Sequence, residues 1–131
     1  KFKFKLDTEA PLFFGVSVII LIIKIFTMIK VSVMYPNSEG VKFNADYYKN
    51  SHLPMVSKLV GSALKGLELD LGVGGRAPGE AAPYVAIAHL KFDDVASFQA
   101  AFGPHAATFA DDVKNYSNVQ GEIQISDLVS F

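Results

Sequence analysis

Cysteine is absent from this chain, which excludes disulfides, thiolate metal sites and cysteine catalysis together. Basic clustering is missing as well. With 12 basic residues against 13 acidic ones, and Arg76 as the only arginine, nothing builds the positive stripe that a nucleic-acid partner requires. Metal chemistry lacks its local signature, because His52, His89 and His105 lie far apart and no His-x-x-x-His spacing occurs. Gly72-Val73-Gly74-Gly75 leads into a breaker-rich loop and not into a helix, so a phosphate cradle is also missing. No apolar run reaches the roughly 20 residues of a spanning helix. Pro11 to Phe26 comes nearest, and it is shorter and carries Lys24.

What is present is enough for one domain. The chain has 131 residues, half of them apolar, and a chain of this size buries roughly two thirds of its unfolded surface without a staple. Residues 1–27 differ from the rest: Lys1, Lys3 and Lys5 lead into the apolar run, and Ile25, Phe26 and Thr27 supply no small-x-small cleavage site. They read as an extension outside the fold, appended or mistranslated, since the chain does not begin with methionine and Met28 stands where the first strand starts. An uncleaved anchor or signal is the alternative. A membrane partner is expected only if this extension is genuine; otherwise the expected location is the cytoplasm.

From Met28 onward the hydrophobic period alternates between two and about 3.6. Ile29, Val31, Val33 and Tyr35 share one face of a first strand, with Lys30, Ser32 and Met34 on the other. Pro36 to Gly40 is turn chemistry, and Asn44 is a fitting N-cap for a helix through Tyr47, Tyr48 and His52. Pro54 should bend or restart that helix by disfavouring helical geometry at Leu53. Leu64 to Val73 alternates as a second strand, 74–83 is a hairpin connection, and Tyr84 to Phe92 is a third strand. Asp93 then caps a helix whose Val95, Phe98 and Phe102 share a face. Gly103-Pro104 interrupts it, a further helical stretch carries Phe109, Val113 and Tyr116, and Val119 to Val129 forms a fourth strand.

The order is βαββαβ, which predicts an α+β domain over residues 28–131: a ferredoxin-like antiparallel sheet with its helices on one face. The other face mixes Met34 with Lys30, Glu68 and Glu122. It is either solvated or laid against a second copy.

His52 is the leading candidate for chemistry. Helical spacing places Tyr48 one turn before it, and a histidine beside a phenol in an apolar setting can act as general acid or base. The plain alternative is a buried histidine bonded to a backbone carbonyl and Tyr48. Asp112 and Tyr116, four residues apart, can bring a carboxylate and a phenol to the mouth of the same cleft; Asp111 reads as solvated. Asn115 can cap the helix end or bind a ligand. His105 reads as an exposed helix-start residue, and His89 as a satisfied histidine on the sheet face.

The segment Asn44-Ala45-Asp46-Tyr47-Tyr48-Lys49-Asn50-Ser51-His52-Leu53-Pro54 resembles the EthD family, whose members carry an aromatic pair followed by histidine and proline in the first helix. Ala110 to Asn118 resembles that family's acidic, asparagine and aromatic segment, and Gln124-Ile125-Ser126 its last strand. The resemblance implies a dimeric α+β barrel, hence a homodimer, a fold shared by small enzymes that work without metal or organic cofactor on aromatic or polyketide-like compounds. The family takes its name from ethyl tert-butyl ether degradation, and membership alone does not establish catalysis.

Two functions follow. In the first, the chain is a cofactor-independent lyase or isomerase acting on a small hydrophobic or aromatic compound. His52 is then the acid/base, Tyr48 and Asp112 assist it, and Tyr47, Tyr116 and Asn115 contact substrate. In the second, it is a non-catalytic dimeric ligand-binding or accessory protein of a degradation pathway. An open pocket reaching His52 favours the first, and a closed core around it the second.

Overall fold

The computed structural model describes residues 28–131. The expectations placed on residues 1–27 lie outside the described residues.

Alternation turns directly into a buried face. In β1 (Ile29–Pro36) the side chains of Ile29, Val31 and Tyr35 point into the core, and Pro36, which cannot donate to a ladder, ends the strand at a shift of register. β2 (Gly66–Leu71) and β3 (Tyr84–Phe92) form the hairpin, and β4 (Glu122–Asp127) closes the order β2-β3-β1-β4, every neighbouring pair antiparallel. This is the ferredoxin-like arrangement of an α+β domain. Ala86, Ala88, Leu90 and Phe92 of β3 complete the inner face, and the two alanines leave room in a core that also holds Tyr48, Phe109 and Tyr116. Val85, Ile87, His89 and Lys91 point the other way, toward Met34, Ser32 and Lys30 of β1.

The first helical run begins as its cap dictates. Asn44 is extended and its Oδ1 accepts from the Tyr47 N–H at 3.0 Å, opening α1 (Ala45–Tyr47). The run then widens into a π turn, Tyr48–His52, and tightens again into α2 (Leu53–Val60). The helix does restart at Pro54, which sits in the first turn of α2, but the non-helical geometry expected at Leu53 is absent. Leu53 stays helical, at φ −64 and ψ −39, and its N–H donates to the carbonyl of Tyr48, five positions back. Proline has no N–H and its ring crowds the carbonyl four residues earlier, and the wider turn relieves both problems without ending the helix. Gly61, at φ 75, stops α2, and a 3₁₀ turn Gly61–Ala63 leads to β2.

The second helical run departs from expectation at its start. Asp94, not Asp93, is the cap: its Oδ1 accepts from the Ser97 N–H at 2.7 Å, opening α3 (Val95–Phe102). Phe98 and Phe102 pack on the core, whereas Val95 is 40% exposed and leaves the shared face predicted for it. A turn at Gly103–His105 separates α3 from α4 (Ala106–Asp112), and a 3₁₀ turn Val113–Asn115 delivers Tyr116 to the core.

The outer strands are shorter than the sequence pattern suggests. Val73 lies beyond β2 and Val119 and Val129 lie outside β4. Register places Ile123 and Ile125 on the same side as Val33 and Val31, yet they are 61% and 43% exposed, because β4 is an edge strand. Alternation reports which side a residue faces, not whether a helix covers it. Among the described residues, no helix is long and apolar enough to cross a membrane.

Candidate functional site

The two helical runs meet at a carboxylate. Asp112, the last residue of α4, accepts a hydrogen bond on Oδ1 from the Tyr47 hydroxyl at 2.8 Å and another from Asn115 Nδ2 at 2.8 Å. Its Oδ2 lies 2.8 Å from Nδ1 of His52. The π turn makes this convergence. Tyr47 and His52 are five positions apart, a spacing that in an α-helix points two side chains well away from each other, and that in the wider turn brings them to one side.

Charge at Asp112 follows from these contacts. Burial pushes its carboxyl up, but the hydrogen bonds from His52, Asn115 and Tyr47 outweigh burial and hold it below the usual carboxylate value. The carboxylate is ionised at neutral pH and only accepts. His52 Nδ1 is therefore the donor, and in the neutral ring Nε2 keeps its lone pair. That lone pair faces the Tyr116 hydroxyl across a long contact of 3.5 Å.

Behind Tyr116 stands a residue that sequence reasoning did not single out. Tyr35 of β1 shares a hydrogen bond of 2.7 Å between its hydroxyl and that of Tyr116. A signal existed: the alternation that turns Tyr35 inward also buries a phenol, which needs a partner. Burial raises Tyr35, Tyr48 and Tyr116 above the ordinary tyrosine value, so all three stay protonated at neutral pH. Tyr47 is raised chiefly because its O–H donates to Asp112.

The predicted residues are thus close together but differently paired. Tyr48 stacks on the His52 ring, with centroids 5.2 Å apart and planes 12° from parallel, and sits in the core. Tyr116 bonds Tyr35 and not Asp112, despite the four-residue spacing. Asn115 spends its amide on Asp112, so it orients the carboxylate. The partner of His52 is this carboxylate, neither the backbone carbonyl nor the Tyr48 hydroxyl of the plain alternative. His105 is half-buried against Phe109, with ring centroids 6.0 Å apart, and is not simply exposed.

Access is the second property of the site. His52 is 5% exposed, and the Asp112 side chain 16%. A surface groove of about 420 Å³ lies beside them, lined by Phe43, Asn44, Asn115 and Tyr116 among others, but not by His52. The core around His52 is closed.

A second histidine cluster sits on the helix-free sheet face. His89 Nε2 lies 2.7 Å from Asp70 Oδ2, and its Nδ1 3.3 Å from Ser32 Oγ. Ser32 lies in β1 and His89 in β3, the two interior strands, whose amides serve the ladders, so the strands that carry them offer no pair of free N–H groups beside the hydroxyl as an oxyanion hole among the described residues.

Fold and site together define a small ferredoxin-like α+β domain with a network of half-buried aspartate and buried histidine and tyrosines between helix and sheet. The chain belongs to the EthD family: the EthD domain matches residues 42–120. Among solved structures, an EthD-like protein from Ralstonia eutropha JMP134 is similar at a TM-score of 0.76 and 38% identity. The match covers 79% of this chain and 93% of that one. An EthD family protein from Bacillus halodurans C-125 shares the fold at a TM-score of 0.61 and 18% identity, over 78% of this chain and 99% of that one. No curated protein matches the sequence.

Proposed function

We propose that this chain is a cofactor-independent lyase or isomerase that moves a proton on a small hydrophobic or aromatic compound, with His52 as the acid/base. One observation carries the reading: Asp112 fixes the His52 tautomer, so that Nε2 presents a lone pair among aromatic rings. That is the arrangement a general base requires, with the carboxylate also stabilising the imidazolium once the proton has moved. The imidazolium of His52 returns the proton to the substrate, and Tyr116, kept protonated, can donate a hydrogen bond to a developing oxyanion. Tyr47 and Asn115 keep Asp112 in place, and Tyr48 holds the ring by stacking.

The second reading, a non-catalytic binding or accessory protein, is favoured by the closure of the core around His52. Under the catalytic reading, substrate must part the rings around Tyr116 to reach Nε2. The deciding experiment identifies a co-purified ligand by mass spectrometry and then measures its turnover. In His52→Gln, which keeps hydrogen-bonding capacity but cannot titrate near neutrality, turnover should fall roughly a hundredfold or more. Full turnover in that variant would leave the binding reading standing.

We also propose that the protein is a homodimer formed by the helix-free sheet faces. Met34, Val85 and Ile87 lie there among Lys30, Glu68, Asp70, His89 and Lys91, the mixed character of an interface.

A further inference from the structure

We propose that the groove beside the His52 network takes an aromatic carboxylate, its ring against the half-buried Phe43 and its carboxylate held by Lys42 and Lys114. This deepens the function proposed above and rests on its binding step. The groove lies between residues 42–44 and 114–118, and its walls are tied together by backbone. Asn44 N–H donates to the Tyr116 carbonyl at 2.7 Å, Asn118 N–H donates to the Lys42 carbonyl at 3.2 Å, and Phe43 bridges Ser117. Such walls hold their spacing without a ligand. The volume of about 420 Å³ falls in the range of small-molecule sites.

The lining selects the ligand by charge. Lys42 and Lys114 are the charged side chains that line the groove, both are cations, and neither makes an ion pair among the described residues. This occurs in a chain whose net charge is −1. The remaining polar side chains are largely spent. Asn118 accepts from the Lys42 N–H and donates to the Gly40 carbonyl, Ser117 bonds to both backbone groups of Val119, Asn115 donates to Asp112, and Asn44 caps Tyr47. The two ammonium groups, with the Nδ2 of Asn44, are thus the donors left for a ligand, and two cations in one lining favour an anion. The apolar lining is aromatic: the half-buried Phe43 ring faces the groove and is held from behind by the buried Tyr116 ring, edge to face with centroids 5.6 Å apart. An aromatic body with one carboxylate matches both halves, and Tyr116 and Asn115 connect this groove directly to the Asp112 and His52 network.

The test titrates the full chain with 2-naphthoate and with its neutral counterpart 2-naphthamide, by calorimetry and by amide chemical shifts. The acid should bind about tenfold more tightly than the amide at low salt, as two exposed ion pairs supply. The preference should shrink as salt is raised. It should vanish in the double variant Lys42→Gln/Lys114→Gln, whose circular dichroism should match the parent because both lysines are exposed. Shifts should centre on Phe43, Asn115 and Tyr116. Equal affinity for acid and amide, or an acid affinity that survives the double variant, would overturn the carboxylate assignment while leaving a binding site for neutral aromatics. Binding of neither, or shifts confined elsewhere, would overturn the groove as a ligand site. Turnover in His52→Gln is read separately, so failure of the acid/base role stays distinguishable.

Discussion

At Asp112 the structure concentrates three hydrogen bonds on one carboxylate, and this has a pH signature. Its folded pKa is lowered, so the stabilisation it contributes is present above the ordinary carboxylate value, near pH 4. It is lost as pH falls through the lower folded value. Asp112→Asn should therefore flatten the acid limb of stability, measured as urea midpoints below about pH 5, and should also weaken any turnover by freeing the His52 tautomer. The tyrosines act at the other end. Tyr35, Tyr48 and Tyr116 are raised in the fold, so their contribution is whole below the ordinary tyrosine value of 10.0 and falls as pH rises above it. Tyr116→Phe should reduce that alkaline loss and cost about 1 kcal/mol at neutral pH by removing the hydrogen bond to Tyr35. Of this network, His52, Tyr47, Tyr48, Asp112, Asn115 and Tyr116 were legible as residues of interest, because a helical period and two short motifs mark them. Their pairings were not. Spacing within one helix says nothing about a carboxylate arriving from another, and Tyr35 joins from a strand far away in sequence.

Among the elements, the strands and helices were readable in order and kind, because alternation and capping are local. Their ends were less so. Whether Val73 or Val129 belongs to a strand depends on a neighbour to pair with, and Asp93 and Asp94 offer the same chemistry at adjacent positions. Two substitutions test the element level. Asn44→Ala removes the cap of the run that carries Tyr47 and His52, and should lower stability by about 1 kcal/mol in urea unfolding. Gly121 lies just before β4, and a Cβ there would stand 3.0 Å from Val33 Cγ1 and 3.1 Å from the Tyr35 ring. Gly121→Ala should cost roughly 1 to 3 kcal/mol and displace Tyr35 from Tyr116, read as a changed alkaline limb.

For the whole molecule the open question is what meets the helix-free face. If two copies meet there, sedimentation should give a dimer at micromolar concentration, and Ile87→Glu should give a monomer with unchanged circular dichroism. The added carboxylate would sit beside Asp70 and oppose its own copy across a two-fold axis. A parent protein that sediments as a monomer at that concentration would remove the dimer. The sequence pattern alone exposed this face but did not count subunits. Deleting residues 1–27 should leave the melting temperature nearly unchanged, in matched detergent-free samples; a large fall would mean that the apolar run packs on the domain.

Counted along the chain, the π turn is an α-helix with one residue too many. The surplus lies between Tyr47 and His52, and it has a reverse edit. Deleting Asn50, which is exposed, would restore an ordinary four-residue spacing, and because four residues of α-helix turn through about 400°, Tyr47 and His52 would stay on one side. Asp112 should then keep both His52 and Tyr47. A single deletion thus tests what the turn is for: a shortened chain that melts cooperatively with the acid limb of Asp112 intact would show that the site needs two side chains on one helix face, and a flattened acid limb would show that it needs the wider turn itself.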